Sequence, residues 1–328
     1  MILAMAGIGL VATAWLPLVA LGAILIGAGN GPATPASTYI LSRRTPPRLL
    51  SMVLSVKQTG ASIGTVLAGV AVPLLVITWG WHGAALACSA VALAVALVLE
   101  RLRGDMDRDV ADGRASGQRQ RPGGMAGLRL INADRRLVAL ASCGLTFCML
   151  QIAVTTYFVT FLVEEIAVEQ TMAGYLFALS VASAVVARVI LGAVADRLGD
   201  CKIVLAVLGG AMGVAAIGFA LLPRGAPTWQ IALLGIVFAS SAMTWSGVFL
   251  AEAVPHALEG QIGTLVGALM IFTYIGSIAG PFLFGLIVTT LGSFPLAFVV
   301  TGVPSLLSGA VIFAARSPAN AGQRRSGG

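Results

Sequence analysis

Charged side chains make up only 10% of this 328-residue chain, while 58% of its residues are hydrophobic and its mean hydropathy is +0.96. A soluble domain carries about a quarter charged residues, and no soluble fold buries this much apolar surface, so lipid has to be the solvent. Apolar-polar alternation is also missing, which excludes a β-barrel and leaves helices of about 20 residues crossing about 30 Å of hydrocarbon. Histidine and cysteine are few. His82 and His256 fall near helix ends, and Cys88, Cys143, Cys148 and Cys201 lack the paired spacing of a zinc or redox site, so neither a metal nor a cofactor is expected. The chain has no Gly-x-x-x-x-Gly-Lys-Ser/Thr phosphate loop and no catalytic cluster, which argues against an ATP-driven pump and against an enzyme. Its net charge of +7 is spread over short loops rather than gathered on a water-facing domain, so no nucleic-acid partner is expected.

Apolar runs between charges and Pro/Gly clusters predict an all-α integral membrane protein with about ten spans, near 2–16, 18–41, 49–77, 82–100, 137–163, 171–195, 203–223, 229–254, 261–289 and 294–315. Positive charge sets the orientation. Arg43, Arg44 and Arg48, nine arginines from Arg101 to Arg136, Arg197, Lys202, Arg316, Arg324 and Arg325 lie on one side, against Arg224 alone on the other. Seventeen against one places both termini and the middle loop in the cytoplasm of a bacterial-type inner membrane. Trp15, Trp79, Trp81 and Trp229 fall at span ends assigned to the opposite face, as an interfacial aromatic belt does. The expected organisation is a membrane half over 1–100, a solvated linker over 101–136, a six-helix half over 137–316 and a cytoplasmic tail over 317–328. The lipid bilayer and a small solute are the expected partners, with no obligate protein partner.

An internal repeat emerges when Val56–Gly64 is laid over Phe272–Gly280: Gly60 and Gly64 fall on Gly276 and Gly280. Small residues four apart let helix backbones approach, so these four glycines are expected to pack helices, and duplicated halves are a common transporter architecture. Only two ionisable residues lie deep in spans. Lys57 is nine residues beyond Arg48 and Arg188 eight before Asp196, so both sit roughly 12–13 Å from the same end by helical rise. Each costs free energy in lipid and is therefore a candidate for solute binding, with a structural or snorkelling role as the alternative. Gln58, Gln151, Tyr157, Trp245 and Tyr274 are further polar or amphipathic residues inside spans, and Gln151 and Trp245 stand foremost as lining for a central cavity.

The stretch Gly192-Ala-Val-Ala-Asp196-Arg197-Leu-Gly199-Asp-Cys-Lys202 resembles the G-x-x-x-D-R-x-G-x-x-[RK] signature of the major facilitator superfamily, in the loop between that family's eighth and ninth helices. On that resemblance the chain corresponds to family helices three to twelve, and the fold implies two bundles rocking around a central site. Helices one and two, with the first signature copy, are then expected in about 60–80 residues encoded upstream. A transport-inactive fragment is the rival expectation. Gly192 is expected to permit close helix contact, Asp196 to cap a neighbouring helix, and Arg197 and Lys202 to anchor the interface. Arg188, four residues before Gly192, matches an arginine associated with carboxylate binding in the oxalate:formate antiporter-like branch. That branch's lysine on helix eleven is replaced here by Thr273, with Lys57 at the counterpart position in the repeat. The resemblance thus implies a secondary carrier of a small organic anion. A drug/proton antiporter is the runner-up, set back because Thr65 stands where such families have proline and because no carboxylate lies deep in a span.

Overall fold

The computed structural model describes residues 2–13, 15–101, 124–257 and 261–315, and the described residues form helices and turns. In chain order the helices are α1 (Ile2–Val11), α2 (Leu16–Asn30), α3 (Ala33–Arg44), α4 (Leu50–Arg101), α5 (Gly124–Ala133), α6 (Arg135–Glu164), α7 (Gln170–Leu198), α8 (Cys201–Ala220), α9 (Thr228–Ala242), α10 (Trp245–Ala253), α11 (Ile262–Leu291) and α12 (Phe294–Ala314). Short 3-10 turns at Pro47–Leu49 and Val254–His256 lead into α4 and follow α10. Eight stretches among the described residues are long and apolar enough to cross a bilayer: Leu16–Arg44, Leu74–Val98, Arg135–Glu164, Gln170–Leu198, Cys201–Ala220, Thr228–His256, Ile262–Leu291 and Phe294–Ala314. Large apolar side chains such as Ile77, Ile278 and Phe282 stand exposed on them, as a lipid-facing surface requires.

Gly80 breaks α4 between the third and fourth expected spans. Its φ of 68° and ψ of 172° lie in a region open essentially to glycine alone, so the helix changes direction there. The first expected span, 2–16, turns out shorter. Helix α1 is ten residues, about 15 Å at 1.5 Å per residue. Thr13 Oγ1 donates to the Leu10 carbonyl, Pro17 starts the next helix, and α1 folds back on α2. The linker expectation also changes. Residues 102–123 and the tail lie outside the described residues, but 124–133 form α5, an amphipathic helix that buries Ile131 and sets Gly127 against Thr264 and Ala268 of α11.

Contacts divide the described chain into two compact units, Met1–Ser37 with Gly60–Gly123 and Thr38–Thr59 with Gly124–Gly328. In the first, Gly7 and Gly22 bring α1 and α2 together backbone to backbone, a Cβ on either lying 2.5–2.6 Å from the other's carbonyl oxygen, and Ser89 Oγ donates to the Met5 carbonyl at 3.1 Å. In the second, α11 packs on α6, α12 on α8 and α6, and α9 on α7. Its core is aromatic. Phe298 meets Phe161 at 4.8 Å and Phe284 at 5.1 Å, both edge to face, and Phe219 at 5.5 Å.

Candidate functional site

Arg188, Gly192 and Asp196 follow one another at four-residue intervals on α7 and therefore share one face. That face lies along the first turns of α4. Asp196 Oδ1 accepts the Ser51 amide at 2.9 Å and Oδ2 the Met52 amide at 2.8 Å, so one carboxylate satisfies two of the donors that a helix start leaves open and places negative charge at its positive end. One turn back, Gly192 lets α4 come close: a Cβ there would stand 2.8 Å from Ser55 Oγ and 3.2 Å from Met52 Cα. One turn further, Arg188 reaches past α4 into the bundle. Its Nη1 donates to the Gln58 carbonyl at 2.7 Å and its Nε to the Met243 carbonyl at 2.9 Å, with Nη2 donating to Met243 as well. The side chain is 6% exposed.

The Met243 carbonyl is within reach because the span Thr228–His256 is interrupted between α9 and α10. No proline or glycine causes the break. Ser241 Oγ donates to the Val237 carbonyl at 2.8 Å and Thr244 Oγ1 to the Ser240 carbonyl at 2.5 Å, and such back-bonding competes with the helix ladder and bends it. Just beyond, Gly247 of α10 meets α4 from the other side, where a Cβ would lie 2.7 Å from Ser55 Cα and 2.8 Å from Ser55 N. Ser55 is thus held between two glycines on different helices, and its hydroxyl has no hydrogen-bond partner among the described residues.

The rest of the signature loop shapes the end of the bundle. Arg197 is exposed in the last turn of α7, Gly199 closes that helix at a φ of 65°, and Asp200 caps α8 by accepting the Lys202 amide at 3.2 Å. Lys202 Nζ donates to the Ala315 carbonyl at 3.3 Å and lies 3.8 Å from Asp200, linking the loop to the end of α12.

The sequence candidates separate on inspection. Gln151 and Trp245 form one pair, the indole N–H donating to Gln151 Oε1 at 2.9 Å while the ring packs edge-on against Phe147 and Phe249. Tyr157 stacks on Phe284 at 4.9 Å as packing, and Tyr274 is exposed. Lys57 is adjacent to Gln58, hence level with Arg188, but two residues from Ser55 and so on the opposite side of α4 from the α7 stripe. Its Nζ is buried without a hydrogen-bond partner. The two glycine pairs behave differently. Gly276 and Gly280 take the backbones of Leu145 and Met149 on α6 within contact distance, whereas no described residue lies within 4 Å of a Cβ built on Gly60 or Gly64. Ser51, Ser55, Met243 and Gly247 were not singled out from the sequence. The Ser240/Thr244 and Val237/Ser241 spacings are the signal that the helix break leaves in it.

Known proteins agree with this architecture. The Major Facilitator Superfamily family model matches residues 1–267. No curated protein matches. Among solved structures, a point variant of the E. coli fucose:proton symporter FucP is similar with a TM-score of 0.69 and 16% identity over 96% of this chain and 82% of that one. FucP in an outward conformation gives 0.68 and 17% over 96% and 83%. At that identity the likeness concerns the fold, while the family match extends over most of the sequence. The chain belongs to the major facilitator superfamily, as a multi-pass membrane protein with that family's transporter fold.

Proposed function

We propose that this protein is a secondary transporter that moves a small organic anion by alternating access, with Lys57 meeting the anion's charge. The single observation behind the substrate class is the buried, unpartnered ammonium of Lys57. An intramembrane cation of this kind is costly, and a bound carboxylate offsets the cost by supplying both charge and an acceptor. Arg188 is level with Lys57 but on the other side of α4, and its bonds to backbone carbonyls on α4 and at the α9–α10 break make it a clamp between α7 and α4 rather than a second ligand for the anion. In this reading the α4–α7–α10 seam is the element that opens and closes. The arginine-rich loops put that end, and both termini, on the cytoplasmic side of a bacterial-type inner membrane.

The test is uptake of radiolabelled acetate, oxalate and succinate, with L-fucose as a neutral control, into proteoliposomes holding the purified chain. Carboxylate uptake is expected, and Lys57→Met is expected to lower it roughly 30- to 100-fold, the worth of about one charge-assisted hydrogen bond. The same substitution removes a desolvated charge and should raise the unfolding temperature by a few degrees. Carboxylate uptake unchanged by Lys57→Met, or uptake of fucose with none of the acids, overturns the anion assignment.

A further inference from the structure

One end of the second unit holds a cavity that the transport reading leaves unused. It measures about 350 Å³ and lies at the terminal residues of the spans Arg135–Glu164, Cys201–Ala220, Thr228–His256 and Phe294–Ala314. A span ends where hydrocarbon gives way to headgroups, so this is the level of a bilayer's phosphate layer. The charged lining is Arg136 on α6, Asp200 and Lys202 at the start of α8, and Glu252 at the end of α10, with His256 just beyond. These groups are not equivalent. Asp200 accepts the Lys202 amide at 3.2 Å and lies 3.8 Å from the Lys202 ammonium, which also donates to the Ala315 carbonyl. Glu252 Oε1 stands 3.4 Å from His256 Nε2. Arg136 is the exception: its amide is taken by the Asp134 cap, but its half-buried side chain makes no hydrogen bond or ion pair among the described residues. Both carboxylates in the wall thus have a partner, while the guanidinium has none.

A guanidinium offers parallel N–H donors that fit two oxygens of one oxyanion. The acids beside it limit the charge of what enters. A monoanion gains the guanidinium against modest repulsion, whereas a dianion meets Asp200 and Glu252 with twice the charge. A phosphate diester carries one charge, two free oxygens for the fork, and ester arms that suit the apolar side chains of Leu140 and Ile312 in the same lining. We propose that this cavity binds a phosphate diester, gripped by Arg136 with Lys202 adding positive charge. The diester comes from a membrane-lipid headgroup or from a soluble molecule, and in either case it joins the ends of α6, α8, α10 and α12. The site does not depend on what the protein carries.

Thermal unfolding of the purified full chain in neutral detergent at pH 8, with increasing dimethyl phosphate or phosphatidylglycerol, tests the site, because a ligand of the folded state raises the unfolding temperature with its concentration. Stabilisation by the lipid alone assigns the headgroup, by dimethyl phosphate alone a soluble diester, and by both a site open to either. Inorganic phosphate, chiefly a dianion at this pH, is expected to need about tenfold more. Arg136→Gln should weaken the apparent affinity roughly 10- to 100-fold, the worth of a charge-assisted contact. Arg135→Gln, at an exposed neighbour outside the lining, should leave it unchanged, which separates the cavity from a generally basic rim. Glu252→Gln should narrow the gap between inorganic phosphate and the diester. Should Arg136→Gln fail to fold, Arg136→Lys decides in its place, since it keeps the charge, loses the fork and should still weaken binding. No stabilisation by either diester, an effect that survives the Arg136 substitution or is lost equally with Arg135→Gln, or inorganic phosphate binding as tightly as dimethyl phosphate overturns the proposal.

Discussion

Removing the Asp196 carboxylate should open the seam between α4 and α7. In Asp196→Ala the Ser51 and Met52 amides lose both acceptors, and the positive end of α4 loses its counter-charge. A lost N-cap costs about 0.5–2 kcal/mol, and the ionised acceptor raises the figure, so about 2–3 kcal/mol is expected from the pair. At 1.4 kcal/mol per factor of ten, the open population grows roughly 30- to 150-fold. Ser55, fully buried between Gly192 and Gly247, reports on that opening. With the four native cysteines replaced by alanine and Ser55→Cys introduced, maleimide labels only molecules whose seam is open, so its rate follows the open population. Asp196→Ala should accelerate labelling by the same factor, and Asp196→Asn, which keeps one acceptor, by less. A rate within twofold of the parent refutes the idea that this carboxylate holds the seam closed.

Glycines in the same fold should divide by what surrounds them. Gly276→Leu or Gly280→Leu forces a side chain onto the Leu145 or Met149 backbone and should cost about 3 kcal/mol or more, read as lost folded yield and a lower unfolding temperature, whereas Gly174→Ala, in an open helical position, should be neutral or stabilising by about 0.5–1 kcal/mol. Trp245→Phe keeps most of the ring packing but orphans Gln151 Oε1, and should destabilise by about 1–3 kcal/mol in thermal unfolding; adding Gln151→Leu to that variant should restore part of the loss.

Hydropathy alone located the membrane helices of the second unit to within a few residues, because a span has to be long and apolar whatever it packs against. The α7 stripe was equally legible: the spacing of Arg188, Gly192 and Asp196 puts them on one face before any partner is known. What the spacing could not supply was the partner. Arg188 ends on carbonyls 55 and 130 residues away, one of them presented by a helix break that two hydroxyls make without proline or glycine. Gln151 and Trp245, both expected from the sequence to line a central cavity, bond each other across 94 residues. The repeat marks two potential notches by identical spacing on α4 and α11, while the filling of a notch depends on the neighbour, which the spacing does not name. Helix α5 was hidden because Gly124–Ala133 is too short and too polar for a span, and its amphipathic period matters only once α11 lies beneath it.

The slot around Ser55 has one more consequence. Where α4 meets Gly192 and Gly247, the opposing surfaces are backbone and a hydroxyl, with no long side chain to bend or repack. Closing such a joint freezes almost no rotamers, so it can form and part repeatedly at little entropic cost. Its attraction is also short-ranged, since a gap of 0.5–1 Å already forfeits about a quarter to a half of a dispersion contact. A joint built this way grips firmly when shut and loses its hold within a small separation, which is the behaviour of a snap fastener rather than a spring.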